Sequence, residues 1–196
     1  KVLVTQDAAK KPAELPAPES IRILAIGNSF SDDSMWYLYD LLKQAGYDQV
    51  KLANLYIGSC TLQNHAYNIN SGAQVYKYGH DQMGMYDSIV TAVKGNILTD
   101  KDFIMVIPTG TAIQNLRTSL YGDTVTRDGF HLAYDSGRLA AAMMWLKSLT
   151  GCDLGQITWT PSAYAYTPVQ IAAIREAVDN AYKNPFQVTP SQITGE

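Results

Sequence analysis

Short apolar runs alternate along this chain with stretches whose apolar residues fall three and four apart. The run Ile21-Arg22-Ile23-Leu24-Ala25-Ile26 has the length of a buried parallel strand. It breaks into Gly27-Asn28-Ser29-Phe30-Ser31, where Ser31 suits the cap of a helix with Asp32 and Asp33 in its first turn, at the positive dipole end. Met35, Trp36, Leu38, Tyr39, Leu41 and Leu42 then recur at helical spacing, and Gly46 suits the residue after a helix end. A second strand is predicted at 50–57, ending at Gly58-Ser59. Strand, helix and strand in this order form a β-α-β unit, whose ligand sites lie at the C-terminal edge of parallel strands. Both Gly27-Asn28-Ser29 and Gly58-Ser59-Cys60 fall at that edge.

Residues 61–80 are polar, rich in Asn, Tyr and Gly, and show no clear period. A helix is predicted at 81–95, with Met83, Tyr86, Ile89, Val90 and Val93 on one face. Residues 102–108 read as a third buried strand, closed by Thr109-Gly110-Thr111. A helix rich in Ala, Met and Leu follows at 133–149, and a final one at 168–183 stops before Asn184-Pro185. Residues 1–20, with their Pro and Ala, read as a tether of the kind that follows a cleaved export signal. That reading makes an extracytoplasmic location the expectation. Residues 21–184 then form one domain and 185–196 a C-terminal tail, with no internal repeat.

Composition narrows the partners. A chain of 196 residues is long enough for one domain with a substantial core. With a net charge of -3 and no Lys/Arg run, it lacks the basic stripe that nucleic acid requires. No apolar stretch approaches the roughly 18 residues of a membrane span. Cys60 and Cys152 are too few and too far apart for a Cys-rich zinc module, and their spacing leaves a disulfide and two buried thiols both open. Thirteen Tyr against four Phe favour contacts with sugars or other polar ligands, because the ring stacks while the hydroxyl bonds.

The chemistry lies near the two ends. Ser29 follows the first strand, and Arg127-Asp128-Gly129-Phe130-His131 holds an Asp and a His three apart. A serine hydroxyl becomes a useful nucleophile when an imidazole takes its proton, and a carboxylate fixes the imidazole's tautomer. Each motif also has a plainer use: Gly-Asn-Ser as a tight turn and helix cap, Asp-x-x-His as a capped turn leading into a helix. Taken together, their order and separation favour catalysis. His65 stands seven residues after Gly58, where it could line a pocket mouth or serve as a loop histidine. Gln114 and Asn115 follow a strand end and could face a substrate or satisfy loop backbone. The three histidines form no His-x-His or His-x-x-x-His pair, so no metal site and no organic cofactor is expected.

The stretches Ile23 to Asp33, Asn54 to Cys60, Pro108 to Asn115 and Arg127 to Leu132 resemble the SGNH, or GDSL-type, serine hydrolase superfamily. They are most similar to a bacterial subgroup whose opener reads Gly-Asn-Ser-Phe-Ser. The resemblance implies a three-layer α/β/α sandwich with a parallel, flavodoxin-like sheet. It also implies Ser29 as nucleophile, His131 as general base and acid, and Asp128 as its orienter. The backbone N–H groups of Ser29 and Gly58 would line the oxyanion hole, with Asn28, His65, Gln114 and Asn115 near the substrate. The superfamily's Gly-x-Asn block, whose Asn completes that hole, has no match. Between Cys60 and Asp102 one helix and no strand is legible, so a central segment near 61–80 is expected to be missing, with the join near Tyr78-Gly79-His80. The expected activity is hydrolysis of carboxyl esters, with short acyl groups such as acetyl on carbohydrate as the substrate. A glycan-binding domain without catalysis is the alternative, and a metal-dependent phosphoesterase using Asp32, Asp33 and Asp128 a more distant one.

Overall fold

The structure, a computed structural model, describes residues 20–71, 77–79 and 107–195. Strand β1 (Ser20–Gly27) and strand β2 (Gln49–Tyr56) run parallel, paired without a slip from Ser20 opposite Gln49 to Gly27 opposite Tyr56. Two helices bridge them, α1 (Ser29–Met35) and α2 (Leu38–Gln44). Gly46, at φ 97°, makes the left-handed turn that ends α2 and releases the chain into β2. This is the expected β-α-β opening.

Three details correct the expectation. The cap of the first helix is Asn28, whose side-chain oxygen accepts the N–H of Phe30; Ser31 lies inside the helix. The predicted single helix is broken at Trp36-Tyr37, where the Tyr37 hydroxyl donates to the Tyr134 carbonyl and its ring packs on Trp159. Residues 62–71, which have no legible period, form helix α3 (Leu62–Ser71).

Beyond α3 comes a short strand, β3 (Lys77–Gly79), which joins the free edge of β2 in the antiparallel sense. The sheet of the described residues therefore runs β1-β2-β3, with one parallel and one antiparallel pair. The all-parallel sheet expected from the sequence is met at the first pair and not at the second. Helix 81–95 lies outside the described residues, as does nearly all of strand 102–108.

The core is helical. It lies among α2, α4 (Thr109–Arg117), α5 (Ser136–Thr150) and α6 (Pro168–Lys183). Every residue of α5 from Ser136 to Met144 is buried, so the helix is enclosed on all sides rather than amphipathic. Its Ala140-Ala141-Ala142 run lets neighbouring helices approach closely. Helix α6 starts at a capping box, with the Thr167 hydroxyl accepting from the Gln170 N–H, the Gln170 side chain accepting from the Thr167 N–H, and Pro168 in the first turn. The segment after it is fastened to α4 and its C-terminal end: Pro185 O accepts from the Thr111 hydroxyl, Ser191 donates its N–H to the Thr118 hydroxyl, and Ile193 O accepts from Leu120 N.

Candidate active site

Three loops converge at the C-terminal ends of β1 and β2. In the first, Gly27 leads into the turn that starts α1. A Cβ on Gly27 would lie 2.6 Å from the Ser31 hydroxyl, so the turn closes more tightly than a side chain there allows. The Ser31 hydroxyl sits 2.7 Å from Asn28 O and 3.0 Å from Asn54 Oδ1, tying the turn to β2. Ser29 occupies the first position of α1, half-buried.

In the second loop, Ile57 continues the parallel pairing by donating to Gly27 O at 3.0 Å, and the chain turns through Gly58 and Ser59 to Cys60. Ser59 adopts φ 58°. Asn28 Nδ2 donates to Cys60 O at 3.0 Å, which clasps this turn against the serine turn. Both ends of the Asn28 amide are thus committed to the fold, one to the cap and one to the clasp.

The third loop is a tight hairpin. Arg127 N donates to His131 O at 2.9 Å and Ala133 N to Val125 O at 2.8 Å, with Gly129 (φ 77°) at the tip. Within it, Asp128 Oδ1 accepts the N–H groups of Phe130 (2.9 Å) and His131 (2.6 Å), while Oδ2 faces His131 Nδ1 at 2.6 Å. These bonds, the imidazole first among them, hold the Asp128 carboxyl down at about 2, well below its ordinary 3.8. An ionised carboxylate at Nδ1 fixes the proton there and leaves the Nε2 lone pair free to act as a base. Nε2 lies 3.1 Å from the Ser29 hydroxyl. Serine, imidazole and carboxylate are in line across residues more than a hundred positions apart.

Around the imidazole, the Phe130 ring stands edge-on to His131 at 5.0 Å and to Phe30 at 4.9 Å. Both phenylalanines are exposed, forming an apolar lip beside the imidazole.

What holds the serine helix to the base hairpin is Asp33. Its side chain is 2% exposed; Oδ1 accepts from Arg138 Nε at 2.7 Å and Oδ2 from the Leu132 N–H at 3.0 Å. Arg127 reaches the same carboxylate at 3.3 Å and also donates to the Leu132 carbonyl. Arg138 is further covered by the rings of Trp36 (4.1 Å) and Tyr134 (4.6 Å). The sequence reading placed Asp33 at a helix dipole and did not single out Arg138.

The family profile described as Domain of unknown function (DUF4886) matches residues 22–80 and 75–181. The chain belongs to the DUF4886 family. Both matches together take in Ser29, Asp128 and His131, and they overlap at residues 75–80. The chain is similar to a solved structure, the crystal structure of a DUF4886 family protein from Bacteroides uniformis ATCC 8492 at 1.50 Å resolution. The TM-score is 0.75 and the identity 25%, over 87% of this chain and 97% of that one. Among curated proteins none matches.

The remaining expected residues of this DUF4886 chain separate. Gly58 is exposed in the clasped turn, and His65 is buried in α3, where desolvation lowers its pKa. Gln114 is exposed on α4. Asn115 is fully buried: its amide donates to Ala177 O at 3.1 Å and accepts from Thr189 N at 2.7 Å, joining α4 to α6 and the following segment. Asn115 is therefore internal to the helical core, not a contact for substrate. Cys60 and Cys152 are free thiols. Among the described residues, no group of three or more His, Cys, Asp or Glu is placed to hold a metal ion, and no helix is long and apolar enough to cross a membrane.

Proposed function

We propose that this DUF4886 protein is a serine esterase of the SGNH type, hydrolysing short-chain carboxyl esters through an acyl-enzyme on Ser29. The observation that carries this reading is the continuous contact from Ser29 Oγ to His131 Nε2 at 3.1 Å and from Nδ1 to Asp128 at 2.6 Å. Nε2 takes the hydroxyl proton as Oγ attacks the ester carbonyl, and Asp128 stabilises the imidazolium that results. The imidazolium then gives its proton to the departing alcohol. Water, deprotonated by the same nitrogen, releases the acid and restores the serine.

The negative oxygen of the tetrahedral intermediate is assigned to the N–H groups of Ser29 and Gly58, each such donor contributing roughly 3 kcal/mol in enzymes of this kind. The clasp from Asn28 to Cys60 supports that assignment, because it holds the Gly58 turn against the serine turn. The lip of Phe30 and Phe130 favours a small apolar acyl group such as acetyl. Carbohydrate is the proposed carrier of that group.

The test is hydrolysis of p-nitrophenyl acetate by the full chain beside Ser29→Ala, with fluorophosphonate labelling followed by intact mass. Turnover and one covalent adduct that both vanish in the variant support the reading. A chain that neither turns over nor takes the label is not an esterase, and a binding role would stand in its place.

A further inference from the structure

A groove of about 610 Å³ opens where α1 breaks into α2 and faces the segment after α5. Trp36, Tyr134, Trp159 and Tyr164 line it, with Arg138 and Asp40 as its charged members. Its volume falls in the roughly 300–1,000 Å³ range of small-molecule sites. Trp36, Tyr134 and Tyr164 keep 56%, 50% and 38% of their surface exposed, which is costly for large rings with nothing to cover them.

We propose that this groove binds a neutral saccharide. The argument is electrostatic as well as aromatic. Arg138 is buried, bonded to Asp33 and covered by the rings of Trp36 and Tyr134, so little of its guanidinium is left for an anion. A cationic ligand would meet the Arg138 guanidinium, already stacked 4.1 Å from the Trp36 ring centroid and 4.6 Å from that of Tyr134. A ligand with apolar C–H faces and uncharged hydroxyls avoids both difficulties. Its faces stack on the exposed ring surface that Trp36, Tyr134 and Tyr164 keep, and its hydroxyls meet the tyrosine oxygens.

The groove is also within reach of the triad. Trp36 ends the helix that Ser29 begins, a rise of about 10 Å along its axis. Tyr134 follows His131 by three residues. A saccharide seated in the groove can therefore extend toward Ser29, and its role as the alcohol part of the ester rests on the esterase reading. Its binding does not.

The experiment is titration of the full chain carrying Ser29→Ala with xylotriose, cellotriose and mannotriose, followed by tryptophan fluorescence and calorimetry. Choline and glucose 6-phosphate serve as charged comparisons. The expected result is saturable binding of at least one trisaccharide, with neither charged compound binding as well. Affinity should fall roughly tenfold or more in Trp36→Ala and in Tyr164→Ala. Tyr164 takes no part in the Asp33–Arg138 pair or the rings stacked on it, so its variant keeps the test open if Trp36→Ala fails to fold by circular dichroism. Binding of none of the three sugars, preference for a charged compound, or unchanged affinity in Tyr164→Ala overturns the proposal. Sugar binding by a chain that never hydrolyses p-nitrophenyl acetate overturns the esterase reading alone.

Discussion

Leu132 donates its backbone N–H to Asp33 Oδ2 at 3.0 Å, so the residue beside His131 hangs from the helix that starts with Ser29. The opposite oxygen is held by Arg138 at 2.7 Å, from the first turn of the most buried helix. One carboxylate thus sets the distance between the serine and the imidazole.

Asp33→Asn should therefore cost more than a surface charge would. Removing one partner of a buried pair leaves Arg138 uncompensated, a loss of about 3 kcal/mol or more. Urea denaturation should show the drop in midpoint. Esterase turnover in the folded fraction should fall as well, because the base hairpin loses its anchor. A midpoint within error of the wild type would show that the cluster does not carry this load.

The Asp128 carboxyl gains its bonds to His131 and Phe130 on folding, which lowers its pKa from 3.8 to about 2. The sign follows from linkage. The ionised form is favoured in the folded chain, so the stabilisation is full above 3.8 and is lost as pH falls through about 2. Carbon-13 detection of the Asp128 carboxyl should give a midpoint near the lower value, and a midpoint at the ordinary one would mean the contact to the imidazole is not made. Asp128→Asn should lower turnover by roughly 10⁴-fold, since the amide favours the wrong imidazole tautomer.

Gly27→Ala should damage the serine turn from behind. Its new methyl would lie 2.6 Å from the Ser31 hydroxyl and 2.8 Å from its Cβ, forcing α1 outward. A stability loss of about 1–3 kcal/mol is expected from such overpacking, with a larger relative loss of turnover than of binding. Ser31→Gly in the same chain removes both clashing atoms and should restore part of the activity; no recovery would place the fault elsewhere.

Cys60 is buried away from reagents, and burial pushes the Cys152 thiol up in pKa, which disfavours its reactive thiolate. Melting temperature should be unchanged by reductant. Iodoacetamide should add to both thiols quickly in denaturant and slowly without it, read by mass. A reductant-sensitive melting point would contradict the free pair.

How much of this was legible beforehand depended on the range of each interaction. The β-α-β opening and α6 were readable because their signals are local: an apolar run closed by glycine, and Thr167-Pro168 with Gln170 completing the cap. Ser29, Asp128 and His131 were readable as paired motifs. Asp33 was not, because its partners lie 94 to 105 residues away and a burying environment leaves no mark on neighbouring sequence. The break between α1 and α2 was hidden for the same reason, since Tyr37 bonds across 97 residues. Helix α3 was missed because its apolar residues, Leu62, Ala66 and Ile69, are few and set among polar ones. For Asn115 the sequence leaves a substrate contact and a structural bond both open, and complete burial between helices decides for internal partners.

Helix α5 begins five residues after His131 and is enclosed by its neighbours on every side. Amides in such a segment exchange with solvent only when the whole chain opens, while loops at sheet ends open far more readily. Because Gly137 packs so closely that a Cβ would meet the Val125 carbonyl at 2.4 Å, the base hairpin is joined to that slow segment. His131 should accordingly be among the last parts of the site to lose its place in rising denaturant, with the Gly58 turn among the first.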